Sequence, residues 1–447
     1  MTYLFQFKSV AKSLLLACAF ALYIPAARSL ANDEPDTTEM WLVTTVRWGN
    51  PMYHTMTLDI SGKTLNGNLD GEKLVGTRIN STIEFLVRDN NTVHSYKGNI
   101  EGNSISGTSY TIDTDNAQDR VLHNFTARLI PRKPPGPARL HEFKPTDYSN
   151  TFDPHRLPVL TIWPGDTVRT ATLDSGGVDE NGKTKALFGN PQVGPFFIAT
   201  AEPGDTLAVK LNRVRTNRDY ADSLDSIVGR ALGANFASQA GELGNPVRWK
   251  LDRVKNVATL EKPSDKLKNI SLPMRPMLGG LAVAPGNGMP AISTGDTGRF
   301  GGNMDSPDVI EGNTVYLNVQ QPGALLYIGD GHALQGDGET SQYGLETSLA
   351  VEFTVDVIKG KAISAPRIES PTQLITLGQA GSLDDALKSA TSALVQWLQQ
   401  DYDLSLSECG IILGSSVRYS VPNLAGRNVG VAAKLDKSVL SGIPRKN

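Results

Sequence analysis

Cysteine is nearly absent from this chain, which has only Cys18 and Cys409 in 447 residues. Two thiols this far apart, one of them near the N-terminus, leave no internal disulfide framework to organise the fold. Cys409 sits in Ser407-Glu408-Cys409-Gly410-Ile411-Ile412, beside an apolar stretch. That setting reads as a buried structural thiol and argues against a cysteine nucleophile. An excess of one charge is also missing. The 43 basic and 46 acidic residues give a formal charge of −3 with no basic stripe, which excludes nucleic acid as a partner. Long apolar runs are lacking, since the run Ser13 to Ile24 is too short for a comfortable membrane span. No Gly-x-Ser-x-Gly elbow and no convincing serine–lysine pairing is present either.

What the N-terminus does have is the pattern of a secretory signal. Lys8 and Lys12 precede the apolar run, and Ser29 and Ala31 stand where a signal peptidase reads small residues. Residues 1–31 are therefore expected to leave, together with Cys18. Losing Lys8, Lys12 and Arg28 takes the formal charge from −3 to −6. The expected location is periplasmic or secreted, with no membrane association after cleavage.

The 43 glycines and 26 prolines favour many short strands joined by tight turns. The expected fold is mainly β (α+β): a small antiparallel barrel or sandwich over 36–130, a Pro-rich linker over 131–150, and a larger β-rich domain with a few helices over 151–447. In the first region Met56, Leu58 and Ile60 alternate with polar neighbours, as do Ile83, Phe85 and Val87. A unit Gly-x-x-apolar-x-Gly occurs three times, from Gly62 to Gly67, Gly71 to Gly76 and Gly102 to Gly107, each reading as a turn into a brief strand. His54, His94 and His123 are dispersed there and form no catalytic cluster. Farther on, Pro164-Gly165-Asp166-Thr167 and Pro203-Gly204-Asp205-Thr206 each precede a strand, so Asp166 and Asp205 read as turn residues. A helix is predicted from Leu383 to Gln399, capped by Ser382, with Leu383, Ala386, Leu387, Ala390, Leu394 and Leu398 on one face.

Chemistry concentrates in Gly329-Asp330-Gly331-His332-Ala333-Leu334-Gln335-Gly336-Asp337-Gly338-Glu339, after the apolar segment Ala324 to Ile328. Three carboxylates and an imidazole at a strand end suit a divalent ion such as zinc, manganese or calcium. A solvated Asp-Gly turn is the plainer reading, but His332 flanked by Asp330 and Asp337 favours a site. Two more polar, glycine-rich segments, Gly301 to Asp305 and Asp174 to Glu180, fit loops meeting at one pocket.

These segments occur in order with Asn190-Pro191-Gln192-Val193-Gly194-Pro195, Ala201-Glu202-Pro203-Gly204-Asp205 and Ala282-Val283-Ala284-Pro285. Together they resemble the acetamidase/formamidase family over about 155–435, with Gly-Gly-Asn-Met-Asp and Gly-Asp-Gly-His-Ala-x-Gln-Gly-Asp-Gly-Glu as the specific pair. The resemblance implies a mostly β fold, a bound metal, self-association into a homo-oligomer and hydrolysis of short amides to acid and ammonia. The region before 130 and the signal are not usual in that family, and Ile198-Ala199 stands where a Val-Glu pair is expected.

The residues then support attack by activated water on a small linear carboxylic amide. Asp174, Asp305, Asp330 and His332 are the expected metal ligands, with zinc ahead of calcium or manganese. Glu339 is the expected proton shuttle, with Asp337 in reserve. Asn303, Gly302 and Gln335 are expected to hold substrate, and backbone N–H groups of the glycine-rich loop could assist Asn303 in binding an oxyanion. Glu346 ranks lower for either role. The competing expectation is an exported, metal-stabilised binding protein whose amidase site has lapsed.

Overall fold

The computed structural model describes residues 38–89, 92–112, 116, 118–286 and 288–446. The expected signal, residues 1–31, and Cys18 lie outside these. Eight strands, β1 (Glu39–Arg47), β2 (Asn50–Ser61), β3 (Thr64–Leu69), β4 (Glu72–Ile79), β5 (Thr82–Asp89), β6 (Thr92–Glu101), β7 (Ser104–Ile112) and β8 (Arg120–Ile130), form a closed antiparallel barrel. The alternation read from sequence sets its inside. Ile83, Phe85 and Val87 of β5 are buried while their neighbours face solvent. Phe85 stacks on Tyr96 at 4.8 Å, and Phe125 meets Tyr96 edge-on at 5.3 Å, so side chains fill the barrel interior.

The thrice-repeated glycine unit has a specific geometric cause. Its first glycine, at 62, 71 and 102, takes positive φ in the hairpin turn. Its apolar residue, Leu65, Leu74 or Ile105, enters the barrel core. At its second glycine the neighbouring strand passes very close. A Cβ on Gly67, Gly76 or Gly107 would lie 1.9, 2.3 or 2.1 Å from a backbone oxygen. The repeat therefore encodes the tight coiling that closes a small barrel.

The body that follows is built on two large sheets. In the six-stranded one, β9 (Gln192–Ile198), β10 (Met277–Val283), β11 (Gly301–Asn303) and β12 (Leu326–His332) are ordered β9-β12-β10-β11. Every residue of these four strands is buried. The nine-stranded sheet, centred on Thr206–Thr216 and Leu349–Ile358, packs Leu207, Val209 and Phe353 against Phe196, Leu281 and Ile328 of the first. Ile130 joins the same core, and Met40 and Leu42 of the barrel pack on it.

The strand-entry turns behave as their sequence implies. Asp166 accepts backbone N–H groups from Arg139 and Trp163, and Asp205 accepts from Glu202 and Gly360. The predicted helix is α1 (Leu383–Tyr402), and Ser382 caps it by accepting the Asp385 N–H. Ala386, Ala390, Leu394 and Leu398 are buried as expected, but Leu383 and Leu387 of the same predicted face are exposed. A second helix, α2 (Leu406–Ser416), was not expected, although its Ser405/Glu408 capping box was visible in the sequence. Cys409 is fully buried within it. Among the described residues no helix is long and apolar enough to cross a membrane.

Candidate metal centre

β12 extends farther than its sequence suggests. The strand continues past Ile328 to His332, so Asp330 and His332 belong to the sheet and not to the loop after it. Pairing with β10 joins Leu278 to Gly331 and Gly280 to Gly329, and skips Gly279 opposite Asp330. Asp330 takes φ +58° at this irregularity. The skipped position is needed because a Cβ on Gly279 would lie 2.5 Å from both Asp305 Oδ1 and Asp330 Oδ2. Three further segments complete the centre. Asp305 follows β11, Glu339 ends the short turn Asp337–Glu339, and Glu346 bridges His332 just before the next strand.

Two overlapping triads result, Asp305–His332–Glu339 and Asp330–His332–Glu346, each with ligand atoms within 4.8 Å of one another. All five residues are at most 6% exposed. Among the described residues no lysine or arginine pairs with any of them. At an effective dielectric near 20, two ionised carboxylates about 5 Å apart repel by about 3 kcal/mol. The ionisation behaviour reflects this. Burial pushes Asp305 well above the usual carboxylate range and the Asp330 charge adds to it, while Glu339 is raised by burial and then by Asp305. Glu346 is raised chiefly by burial. Burial works against protonating His332, but Glu346 and Asp330 outweigh it and raise the imidazole well above its ordinary value.

The histidine is held so that one nitrogen is free. Gln335 Oε1 lies 2.8 Å from His332 Nδ1, and an amide oxygen can only accept, so Nδ1 carries the proton. In the neutral ring the Nε2 lone pair then faces Glu346 Oε1 at 3.1 Å and Asp330 Oδ1 at 3.5 Å. Neither contact is a hydrogen bond, and His332 Nε2, Asp305 Oδ1 and Asp330 Oδ1 are all buried without a partner. Lone pairs aimed at one another in a dry pocket need a cation or protons between them. The donor set, one imidazole and four carboxylates around the space left by Gly279, fits a divalent metal. The amide of Gln335 supplies the supporting contact that fixes a ligating histidine.

Other polar groups brace the carboxylates. Asn303 and Asn423 each donate to Asp305 Oδ2, at 2.5 and 2.6 Å. Asn190 donates to Asp330 Oδ2 at 3.2 Å and to Asn303 at 2.7 Å. Glu339 Oε1 accepts the Gly344 N–H at 3.1 Å. Asp305, Asp330 and Glu339 all stand on left-handed backbone, at φ +42°, +58° and +45°. Non-glycine residues held this way cost about 1–3 kcal/mol each and collect at functional sites.

Several expected residues have other work. Asp174 is bound through Oδ2 to the buried Arg218 at 2.7 Å, and its Oδ1 accepts the Val178 N–H, so both oxygens are spent and it stands outside the triads. Arg218 lies 44 residues downstream, beyond what local spacing reveals. Asp337 is exposed at the start of its turn and belongs to neither triad. Gln335 is committed to His332 and, through Nε2, to the Asp305 carbonyl at 2.5 Å. Asn303 is committed to Asp305, and Gly302 serves close strand packing, with Asp296 O only 2.3 Å from where its Cβ would stand. Glu346, ranked low from sequence, is at the centre. Asn423 carries no sequence signal at all. Ala199 lies just beyond the far end of β9, roughly 20 Å along the chain from Gln192 at the site end, so its departure from the expected pair does not touch these residues.

Residues 290–393 match the model of the Acetamidase/Formamidase family. A curated Schizosaccharomyces pombe protein, provisionally named formamidase C869.04, is 40% identical over 75 residues, which are 17% of this chain and 18% of that protein. The chain thus matches under a fifth of that relative's length. Acetamidase from Yersinia enterocolitica superposes with a TM-score of 0.59 at 29% identity, covering 68% of this chain and 94% of its own. A predicted acetamidase/formamidase from Thermoanaerobacter tengcongensis gives 0.58 at 25% identity, covering 69% and 98%. Both solved structures are nearly complete in the comparison while almost a third of this chain extends beyond them. All five converging residues fall inside the segment, 290–393, that matches the acetamidase/formamidase family model.

Proposed function

We propose that the protein hydrolyses a small linear carboxylic amide to acid and ammonia, assisted by a divalent metal held at Asp305, Asp330, His332 and Glu346. The observation that carries the proposal is the set of buried, unpartnered ligand atoms, His332 Nε2, Asp305 Oδ1 and Asp330 Oδ1, converging within the family-matched segment. Glu346 takes the role expected of Asp174. Zinc is the first candidate for the metal, ahead of calcium or manganese, because an imidazole is among the ligands. When bound, such an ion supplies Lewis-acid polarisation of the carbonyl and acidifies water.

The protein's own groups do the remaining work. Gln335 holds the His332 tautomer, and Asn303 and Asn423 hold one oxygen of Asp305 so that the other stays free. Glu339 keeps one carboxylate oxygen on the Gly344 N–H and has the second available to take a proton from water and pass it to the departing nitrogen. Deep burial of all five groups supports a small substrate over a peptide. Tyr343, whose hydroxyl is raised first by burial and then by Glu346 and Glu339, packs edge-on to the exposed Phe188 at 6.3 Å and supplies an apolar wall near these groups. The relatives reported above carry amide-hydrolase names, which gives the binding-protein alternative no support.

The test is metal analysis beside ammonia release from formamide, acetamide and longer amides, with and without chelator. Chelator-sensitive turnover that His332→Ala abolishes together with bound metal is the expected result. Turnover that survives complete metal removal would overturn the metal assignment. No ammonia from any amide by metal-loaded protein would overturn the activity. Export and self-association belong to the same proposal. Export rests on the pattern of residues 1–31, and protein found in the cytoplasm with its N-terminus still at Met1 would refute it. Light scattering showing a monomer would refute self-association.

A further inference from the structure

A cavity of about 500 Å³ opens between the barrel and the body. Strands β1, β2, β7 and β8 form one wall, and the segments around Pro154–Pro158 and Gln321–Leu325 form the other. Its lining includes Arg128, Arg156 and His155 and no aspartate or glutamate, on a chain whose net charge is negative. Arg128 is half-buried, and among the described residues its guanidinium has no hydrogen bond or ion pair. Its nearest distinctive contact is the Phe197 ring, 6.0 Å away. Burial pulls the Arg128 guanidinium below its ordinary value, the cost of a cation held without a counter-ion. Arg156 spends only Nη2, on Asp147 and the Tyr148 carbonyl. Gln321, 3% exposed, has neither amide atom partnered. Tyr53 and His155 hydrogen-bond across the seam, tying the barrel to the body at the cavity.

We propose that this seam is a second binding site, distinct from the metal centre, for a small organic carboxylate. The arginines supply forked donors that match a carboxylate. Leu42, Leu157, Pro158, Pro322 and Leu325 line much of the rest and favour an apolar body on the ligand over a bare inorganic anion. The volume is that of ordinary small-molecule sites, which run to about 300–1,000 Å³. The plainer alternative is that Arg128 is simply solvated and the cavity holds water.

Titration calorimetry on the full chain with sodium benzoate tests this, with benzyl alcohol and inorganic phosphate as comparisons. Saturable benzoate binding is expected, weakened about tenfold or more by Arg128→Gln, as loss of one charged hydrogen-bonding partner implies. Benzyl alcohol and phosphate should each bind at least tenfold more weakly, and His332→Ala should bind benzoate as wild type does. Arg156→Gln and Leu157→Trp, both at solvent-accessible positions, repeat the test should Arg128→Gln fold poorly. Absence of saturable binding by wild type, or binding that the seam variants leave unchanged, overturns the proposal. Binding abolished by His332→Ala alone assigns the anion to the metal centre and overturns it too. Phosphate binding as tight as benzoate refutes the organic class.

Discussion

Gly279→Ala should empty or disable the metal centre while leaving the fold standing. Gly279 lies in β10 opposite Asp330, and its backbone is not in the left-handed region, so alanine can adopt its conformation. The added Cβ would stand 2.5 Å from Asp305 Oδ1 and 2.5 Å from Asp330 Oδ2. Ordinary contact begins near 3.4 Å. Both oxygens must therefore retreat by about 0.9 Å, where metal sites tolerate only about 0.2 Å. A misplacement of about 1 Å at reacting groups costs on the order of a hundredfold in rate. Overpacking one methyl costs about 1–3 kcal/mol of stability, which a body of this size absorbs. The assays are metal content after dialysis against dilute chelator, ammonia release at saturating metal, and circular dichroism. Gly280→Ala is the control, because its Cβ presses the Gln192 amide, 2.5 Å away, instead of the carboxylates. The reasoning fails if Gly279→Ala retains metal and wild-type turnover, or if both variants lose them equally.

Glu339→Gln keeps the acceptor for the Gly344 N–H but cannot cycle a proton, so turnover should fall about a hundredfold or more with metal content and melting temperature unchanged. Loss of metal in this variant would instead make Glu339 a ligand, and unchanged turnover would remove it from the chemistry. Glu202, where barrel meets body, accepts from Thr55 at 3.0 Å, and burial raises its carboxyl from 4.5 to about 7. An acid raised on folding favours the folded state at low pH, so this contribution is complete below pH 4.5 and disappears as pH climbs through about 7. Glu202→Gln should match wild type near pH 5 and exceed it by about 1–3 kcal/mol at pH 8, read from urea midpoints. Parallel pH profiles for the two proteins would refute the burial argument.

The sequence by itself determined whatever depends on near neighbours. Period-two alternation in β5 and the glycine repeat set the inside and the closure of the barrel, because side-chain direction and turn geometry are local properties. Ser382 set the start of α1 for the same reason. Asp330, His332 and Glu339 could be picked out together because ten residues carry them. Only the tertiary structure decided which distant groups join them. Asp174 lost its expected place to a pairing with Arg218, and Glu346 gained one through its bridge to His332. Asn423 reaches Asp305 from 118 residues away. Such encounters are fixed by how strands register and sheets stack over the whole body, and by the empty space that Gly279 leaves between two carboxylates. No local spacing records that geometry, since each partner looks like an ordinary surface polar residue until the fold buries it.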